Sequence, residues 1–186
     1  MDRSRTPYVL LGILAIEDRK SGYDLRKVIE SSVAHFWGES YGQIYPTLKR
    51  LRSDGLIRHD GARGKQRRQQ YSITDAGRQY LRKWLALPFQ NDPPRNEFLL
   101  KLFFGAEAPP QVAIAHIREL RDRNLKALKQ LEQIGKLAPE ANAGQPGLKY
   151  WMLTLGLGVA LTRAGLEWAE ATLEDLENEQ VERRPE

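Results

Sequence analysis

The stretch SYGQIYPTLKRLRSDGLI, residues 40–57, decides how the rest of the chain is interpreted. At about 100° per residue, a helix over this stretch places Ile44, Leu48 and Leu51 on one side. The opposite side carries Gln43, Pro46, Lys49, Arg50 and Ser53. The pattern predicts a helix that packs on a core through one face and presents a basic face to a partner.

Both ends of this helix carry boundary signals. Ser40 and Gln43 fit an S-x-x-Q capping box, in which the hydroxyl and the amide each satisfy a backbone N–H group. Gly55 can adopt the left-handed conformation that closes a helix, which lets Leu56 fold back on Leu51. The sequence therefore bounds the helix on both sides.

Pro46 requires an adjustment inside the helix, because proline removes one backbone hydrogen bond. Either the helix bends slightly, or its regular part starts near Tyr45 after a tighter turn. Both arrangements keep Lys49 and Arg50 facing outward.

The residues that follow predict a hairpin. Residues 57–60 and 69–73 have the character of short strands, and the loop GARGKQRR at 61–68 contains two glycines, four basic residues and no acid. A basic helix followed by a basic hairpin is the order of a winged helix-turn-helix, in which the helix enters a DNA major groove. An ordinary solvated hairpin is the alternative, which the close spacing of like charges disfavours.

Further helices are predicted around this unit. Helices over 7–16, 22–32 and 75–87 begin at the caps Thr6, Ser21 and Thr74. The aromatic residues His35 to Trp37, in the connection before the basic helix, are expected to pack under the helices. The prolines and polar residues at 88–94 mark a boundary. We therefore predict a mainly α protein with a winged helix-turn-helix domain at 1–90, containing three to four helices and a two-stranded wing, and a second domain at 91–186.

The second domain is predicted to be an antiparallel helical domain. It contains a short helix over 97–104 capped by Asn96, a long helix over 110–137, a loop over 138–146 and a last helix over about 147–180. The apolar residues of the short helix are expected to be buried: Phe98, Leu99, Leu102 and Phe103. The run WMLTLGLGVAL at 151–161 is much shorter than the roughly 20 residues that a bilayer requires, so we interpret it as buried in protein.

Small residues recur at intervals of four in the last helix, at Gly156, Ala160 and Ala164. This spacing lets two helix backbones approach closely, and a glycine inside a helix costs about 1 kcal/mol relative to alanine unless packing requires it. A dimer interface is the hypothesis, and close packing within one chain is the alternative.

Charge separates the two halves of the chain. Residues 1–90 carry 17 Lys/Arg against 9 Asp/Glu, a net charge of +8, while residues 91–186 carry 12 against 15, a net charge of −3. A basic half is typical of a protein that binds a polyanion. The absence of cysteine fits a reducing cytoplasmic compartment, and the apolar run near the N-terminus stops at Glu17 without a signal-peptide cleavage site.

Catalysis finds no support in the motifs. The three histidines, His35, His59 and His116, lie outside any nucleophilic or zinc-binding motif, and the glycine loop lacks the spacing of a phosphate-binding loop. We therefore expect no enzyme activity, no cofactor and no metal.

The blocks YGQIYPTLKRLRSDGLI, QQYSITDAGRQYL and YVLLGILA with SGYDL resemble the PadR family of bacterial transcriptional regulators, and YWMLTLGLGVALTRAGLEWAEATLEDL looks like the C-terminal domain of virulence-activator-type members. The resemblance implies a cytoplasmic, nucleoid-associated homodimer that binds an inverted-repeat operator in double-stranded DNA. It implies repression relieved by a small aromatic ligand, with transcriptional activation as the alternative. An RNA-binding winged helix and a helical interaction adaptor are the rival classes.

Carried over residue by residue, the resemblance and the basic faces give the same candidate DNA contacts: Tyr41, Gln43, Pro46, Thr47, Lys49, Arg50, Arg63, Lys65, Arg67 and Arg68. Gln43 suits an adenine edge or a phosphate, whereas Lys49 and Arg50 suit phosphates or a guanine edge. Tyr45 and Tyr71 are interpreted as core residues. Trp37, Tyr150 and Trp151 are hypothesised to contribute to an effector pocket between the two domains, with core packing as the alternative.

Overall fold

The computed structural model describes residues 4–38, 41–60, 69–90 and 95–182. The chain divides into two compact units, Met1–Asn91 and Asp92–Glu186. The first unit contains α1 (Thr6–Ile16), β1 (Lys20–Ser21), α2 (Gly22–Ser31), α3 (Ile44–Ser53), β2 (Ile57–Asp60), β3 (Gln70–Ile73) and α4 (Asp75–Leu85). The second contains α5 (Glu97–Phe103), α6 (Pro110–Ala141) and α7 (Leu148–Glu182).

The strands form an antiparallel sheet in the order β1-β3-β2. β2 and β3 pair from Ile57 opposite Ile73 to Asp60 opposite Gln70, which confirms the hairpin. The predicted two-stranded wing is confirmed, and a third strand was not predicted: Lys20 and Ser21 pair with the other edge of β3. A strand of two residues is too short to show a periodic pattern in the sequence.

The apolar stripe of α3 lies at the centre of the first unit. Ile44, Leu48 and Leu51 are buried, as predicted, in a cluster with residues from α1, α2 and the sheet: Leu10, Leu11, Ile13, Leu14, Leu25, Ile29, Ile57, Tyr71 and Ile73. The buried stripe fixes the rotation of α3 about its axis. Its opposite face is therefore held towards solvent.

Both ends of α3 are defined by backbone geometry. A 3-10 turn over Tyr41–Gln43 precedes it, and Gln43 occupies the N-cap position without a side-chain capping bond. The N-cap of α3 is therefore Gln43 rather than Ser40. The predicted capping box depends on Ser40, which lies outside the described residues, and it stays a prediction. The tighter-turn alternative was correct: Pro46 is the third residue of α3, where a backbone N–H has no partner within the helix.

The predicted closure of α3 at Gly55 is confirmed. Gly55 has φ of +68°, its N–H donates to the Arg52 carbonyl at 3.1 Å, and the Leu56 N–H donates to the Leu51 carbonyl at 2.9 Å. These two bonds define a Schellman motif, which turns the chain directly from α3 into β2.

The caps of α2 and α4 also follow the prediction. Ser21 and Asp24 form a reciprocal capping box at the start of α2, and the Thr74 hydroxyl accepts from the N–H of Gly77 at 3.1 Å. The first helix differs slightly, because its N-cap is Arg5 rather than Thr6. The residues after α2 differ more: Phe36 is 64% exposed, and the expectation that it packs under the helices was wrong.

In the second unit, α6 and α7 pack antiparallel. A Cβ added at Gly135 would lie 3.4 Å from the side chain of Leu155, and one added at Gly165 would lie 2.7 Å from that of Asn124. Arg118 pairs with Glu177 across the two helices at 2.7 Å. Asn124 of α6 therefore lies opposite Gly165, a residue without a side chain.

The C-terminal end of α6 differs from the sequence prediction. α6 continues through Pro139 to Ala141, so the loop predicted over 138–146 is partly helical. Asn96 caps α5 as predicted, through a bond from the Leu99 N–H at 3.2 Å. Phe103 is 82% exposed, and Leu99 is also exposed, so the expectation that both are buried was wrong for this chain on its own.

Candidate DNA-binding surface

The outward face of α3 contains the predicted basic residues. Gln43, Pro46, Lys49 and Arg50 are all exposed, because they lie opposite the stripe that α3 buries. Lysine and arginine heads at such a surface suit phosphates, and arginine also suits a guanine edge. The face therefore has the chemistry of a helix that reads DNA.

Thr47 does not belong to this face. It is 4% exposed, so its prediction as a DNA contact is corrected. At 100° per residue, Thr47 lies only about 40° from Leu51 around the helix, on the side that packs on the core. The family resemblance placed Thr47 among the contacts, although the helical repeat places it on the buried side.

Tyr45 was wrongly interpreted as a core residue. It is 63% exposed in the first turn of α3, and its ring covers Gly22 at the start of α2: a Cβ there would lie 2.7 Å from Tyr45 Cε1. An aromatic side chain in this position adds an apolar and hydrogen-bonding group to the candidate surface. In the sequence, the glycine at position 22 is the signal that another side chain packs closely against the start of α2.

The wing consists of β2, β3 and the intervening residues 61–68. Its four basic residues, Arg63, Lys65, Arg67 and Arg68, lie outside the described residues, as does the side chain of Tyr41. The strands themselves place the loop directly after Asp60. Since α3 leads into β2 through Gly55, the helix and the base of the wing belong to one continuous segment.

The base of the wing carries a charged cluster that the sequence did not identify. Nε of Arg58 donates to Oδ1 of Asp60 at 3.2 Å, and Nε of Arg19 lies 4.0 Å from Oδ2. The Ser72 hydroxyl also donates to Asp60. The hydrogen bond from Ser72 is the largest cause that holds the pKa of Asp60 below its usual value; desolvation opposes it, and the guanidinium groups of Arg58 and Arg19 lower the pKa further.

The predicted effector residues lie in different units. Trp37 is 37% exposed in the first unit, whereas Tyr150 is 66% exposed at the start of α7. The ring of Trp151 lies over Gly147, where a Cβ would be 2.7 Å from it. The pocket hypothesis built on these three residues therefore stays a prediction.

A cleft of about 210 Å³ within the second unit was not predicted. Its walls come from α5, α6 and the turn between them, and its lining is mostly apolar, with two residues that can carry charge: Lys101 and His116. Lys101 already pairs with Glu97 at 2.8 Å. The lining residues are spread over 98–116, so no local motif marks this cleft.

The outer face of α7, meaning Leu153, Leu157 and Leu161 with the small residues between them, is exposed. The three leucines are 62%, 63% and 66% exposed, so this chain by itself does not bury that side of 151–161. Gly156, Ala160 and Ala164 are exposed on the same side. A Cβ added at Gly156 would meet no described atom within 4 Å, so packing within the chain does not explain this glycine.

The fold and these surfaces define a winged helix-turn-helix protein with a C-terminal helical unit, and comparison with known proteins identifies the family. Residues 10–83 match the "Transcriptional regulator PadR-like family", and residues 94–177 match "Virulence activator alpha C-term". The chain is a PadR-like transcriptional regulator. Its family and its relatives are transcriptional regulators, not enzymes.

One curated relative is the negative transcriptional regulator PadR of Bacillus subtilis, which is 36% identical over 101 residues. That match covers 52% of this chain and 54% of the relative, so the chain spans about half of that protein's length in the alignment.

Solved structures cover nearly the whole chain. The PadR-like regulator BC1756 of Bacillus cereus has a TM-score of 0.78 and 27% identity, covering 94% of this chain and 99% of the other. Bacillus subtilis PadR in complex with operator DNA has a TM-score of 0.76 and 26% identity, covering 91% and 98%. The same protein in complex with p-coumaric acid has a TM-score of 0.70 and 26% identity, covering 91% and 99%.

Two further observations concern the described residues. None of their helices combines the length and apolar character needed to cross a bilayer. Their histidines and acidic residues do not gather into a group of three or more suited to a metal ion.

Proposed function

We propose that this protein binds an inverted-repeat operator in double-stranded DNA as a homodimer and represses transcription from it. The observation that carries the proposal is the orientation of α3. Its apolar stripe is buried, so Gln43, Lys49 and Arg50 face solvent beside the base of a basic wing. The operator complex of a relative with 26% identity supports the same use of the fold.

The proposed contacts divide by role. Lys49, Arg50 and the wing residues Arg63, Lys65, Arg67 and Arg68 neutralise phosphates, while Gln43 contributes to base recognition. Tyr41 and Pro46 complete the surface, and Tyr45 joins it because it is exposed. Residues 1–90 form the DNA-binding domain and 91–186 the dimerisation and effector domain, in a protein that acts on the nucleoid in the cytoplasm.

The outer face of α7 is the proposed dimer interface. Three exposed leucines beside the small residues Gly156, Ala160 and Ala164 form an apolar surface that a second helix can approach closely. A twofold-symmetric dimer presents two recognition helices to two half-sites, which explains an inverted-repeat operator.

A small aromatic ligand is the proposed effector, with Trp37, Tyr150 and Trp151 as candidate contacts. The p-coumaric acid complex of the relative and the exposure of two of these aromatics support it. Titration of tryptophan fluorescence with p-coumaric acid and other planar acids tests the binding. No quenching, together with unchanged operator affinity, would count against an effector of this class.

Selection of duplex DNA with the purified protein tests the central proposal. We expect recovered fragments to share an inverted repeat, and single-stranded RNA to compete poorly in gel-shift assays. Preferential RNA binding would favour an RNA-binding winged helix, and binding to neither at modest salt would favour an interaction adaptor.

A reporter gene under the recovered operator then fixes the sign of regulation. The C-terminal match to a virulence-activator family keeps activation as the specific alternative to repression. Higher reporter output in the presence of the protein would establish it.

A further inference from the structure

The base of the wing holds two arginines that come from different parts of the chain. Arg58 and Asp60 lie on the same face of β2, opposite the face through which Ile57 packs on the core, because side chains alternate along a strand. Arg19 reaches the same carboxylate from the turn before β1. One acidic side chain therefore brings two guanidinium groups together.

The backbone of Arg19 is unusual. Its φ is +57°, which makes it the single non-glycine residue with positive φ among residues 4–38, 41–60, 69–90 and 95–182. L-residues adopt this conformation at a cost, and glycine or asparagine adopts it more easily. An arginine in this place indicates that its side chain contributes something that asparagine or glycine would not.

Both guanidinium groups remain available to a ligand. The side chains of Arg19 and Arg58 are 57% and 60% exposed, and in each ion pair the nitrogen closest to Asp60 is Nε. The terminal Nη groups, which bind phosphate in a bidentate manner, are left outside these ion pairs. Lys20 differs, because its ammonium group pairs with Glu17 at 2.7 Å.

The position along the chain is suited to a DNA backbone. β2 extends for about 10 Å from the end of the α3 turn to the start of the basic loop. Each strand of a duplex carries one phosphate per roughly 3.4 Å of axis. The length of β2 therefore matches the spacing of about three phosphates along one DNA strand.

We propose that Arg19 and Arg58 form a second phosphate-binding site at the base of the wing, and that Asp60 is the positioning residue that holds them in place. The proposal rests on the proposed DNA-binding function and extends it to residues outside α3 and the loop. Glu17 and Asp18 lie next to Arg19 in sequence and lower the local positive charge. The paired arginines, rather than the net charge of the turn, therefore create the site.

Asp60 gives the sharpest test, because two explanations predict opposite results. A carboxylate near DNA repels phosphates. If Asp60 did not position the arginines, its replacement by asparagine would therefore strengthen DNA binding. As a positioning residue, Asp60→Asn releases both arginines and weakens binding. We expect affinity for the selected operator to fall by about threefold or more, although the net charge rises by one.

The experiment measures the dissociation constant of the full-length protein for the operator duplex across a range of salt concentrations. Arg19→Asn removes the charge while keeping a residue that tolerates positive φ. Arg19→Lys keeps the charge, and Arg123→Gln on α6 removes the same charge far along the sequence from the wing. Urea unfolding of each variant checks that the fold is retained.

We expect Arg19→Asn to weaken binding roughly five- to tenfold and to reduce the salt slope by about 1 for each protomer on the duplex. Arg19→Lys should keep the wild-type slope, and Arg123→Gln should match wild type. A folded Arg19→Asn that behaves like Arg123→Gln, or an Asp60→Asn that binds more tightly, would overturn the second site alone. A wild-type protein without salt-dependent duplex binding would overturn the proposed function with it.

Discussion

Leu157→Asp should separate the proposed homodimer into monomers. Leu157 is 63% exposed at the centre of the outer face of α7. Full burial of a leucine contributes about 1.5–3 kcal/mol, so covering the part still exposed contributes about 1–2 kcal/mol per copy. A twofold interface contains each residue twice, which gives about 2–4 kcal/mol for the dimer. Leu157→Asp should therefore raise the dimer dissociation constant roughly 30- to 700-fold, and the two introduced carboxylates, which the interface would bury, weaken the dimer further.

Sedimentation equilibrium of wild type and variant over a range of protein concentrations measures this change directly. Leu137→Asp on α6 is the matched control, because it makes the same change at a leucine that is 59% exposed. Because little of Leu157 is in contact within its own chain, the free energy of unfolding of the monomer should change much less than the free energy of dimerisation. Circular dichroism confirms that the helices are retained.

An unchanged dimerisation constant for Leu157→Asp would refute the assignment of this face as the interface. Equal weakening of the dimer by Leu157→Asp and Leu137→Asp would also refute the assignment, because the effect would then not be specific to the outer face of α7. A monomeric variant should also lose most of its affinity for the inverted repeat while keeping weak binding to a single half-site.

Four further results are expected. Changing Arg67 and Arg68 together to alanine should weaken binding to all duplex sequences and lower the salt slope by about 1 to 2, as measured by fluorescence anisotropy at several salt concentrations; an unchanged slope would remove the wing from the interface. Gln43→Ala should alter the ranking of operator variants more than the overall affinity, and a uniform loss across variants would contradict this. Gly77→Ala should destabilise the protein by about 1–3 kcal/mol in urea unfolding, because the new Cβ would lie 2.1 Å from a backbone oxygen. The pKa of Asp60 is lower in the folded protein than its ordinary value of 3.8. The ionised carboxylate therefore stabilises the fold at pH values above 3.8, and this contribution is lost as the pH falls through the pKa of the folded state. The free energies of unfolding of wild type and Asp60→Asn should converge on acidification.

The sequence predicted the elements that depend on local chemistry. The Ser21–Asp24 capping box, the Thr74 cap and the Gly55 closure each involve residues within a few positions of one another, and all three are present. The buried stripe of α3 was also predictable, because its spacing directly matches the helical repeat. These features give the class of the N-terminal fold.

The sequence was less informative where a side chain lies between two environments. Thr47 was carried over as a DNA contact from the family resemblance but is buried, and Tyr45 was interpreted as a core residue but is exposed. Leu157 was interpreted as buried because it is apolar, although its own chain leaves it exposed. In each case burial depends on the partner that packs there, and that partner is distant in sequence or belongs to another molecule.

What the amino-acid order alone determined is the succession of the helices and of the two wing strands, the basic character of the N-terminal half and the likeness to a family of regulators. The tertiary structure decided which side chains of α3 face solvent, which face of α7 stays uncovered, and that Arg19 meets Arg58 at Asp60. The physical reason is the range of the interactions. Caps, turns and helical periodicity act over a few residues, whereas a contact between residues 19 and 60 exists only after the sheet between them has formed.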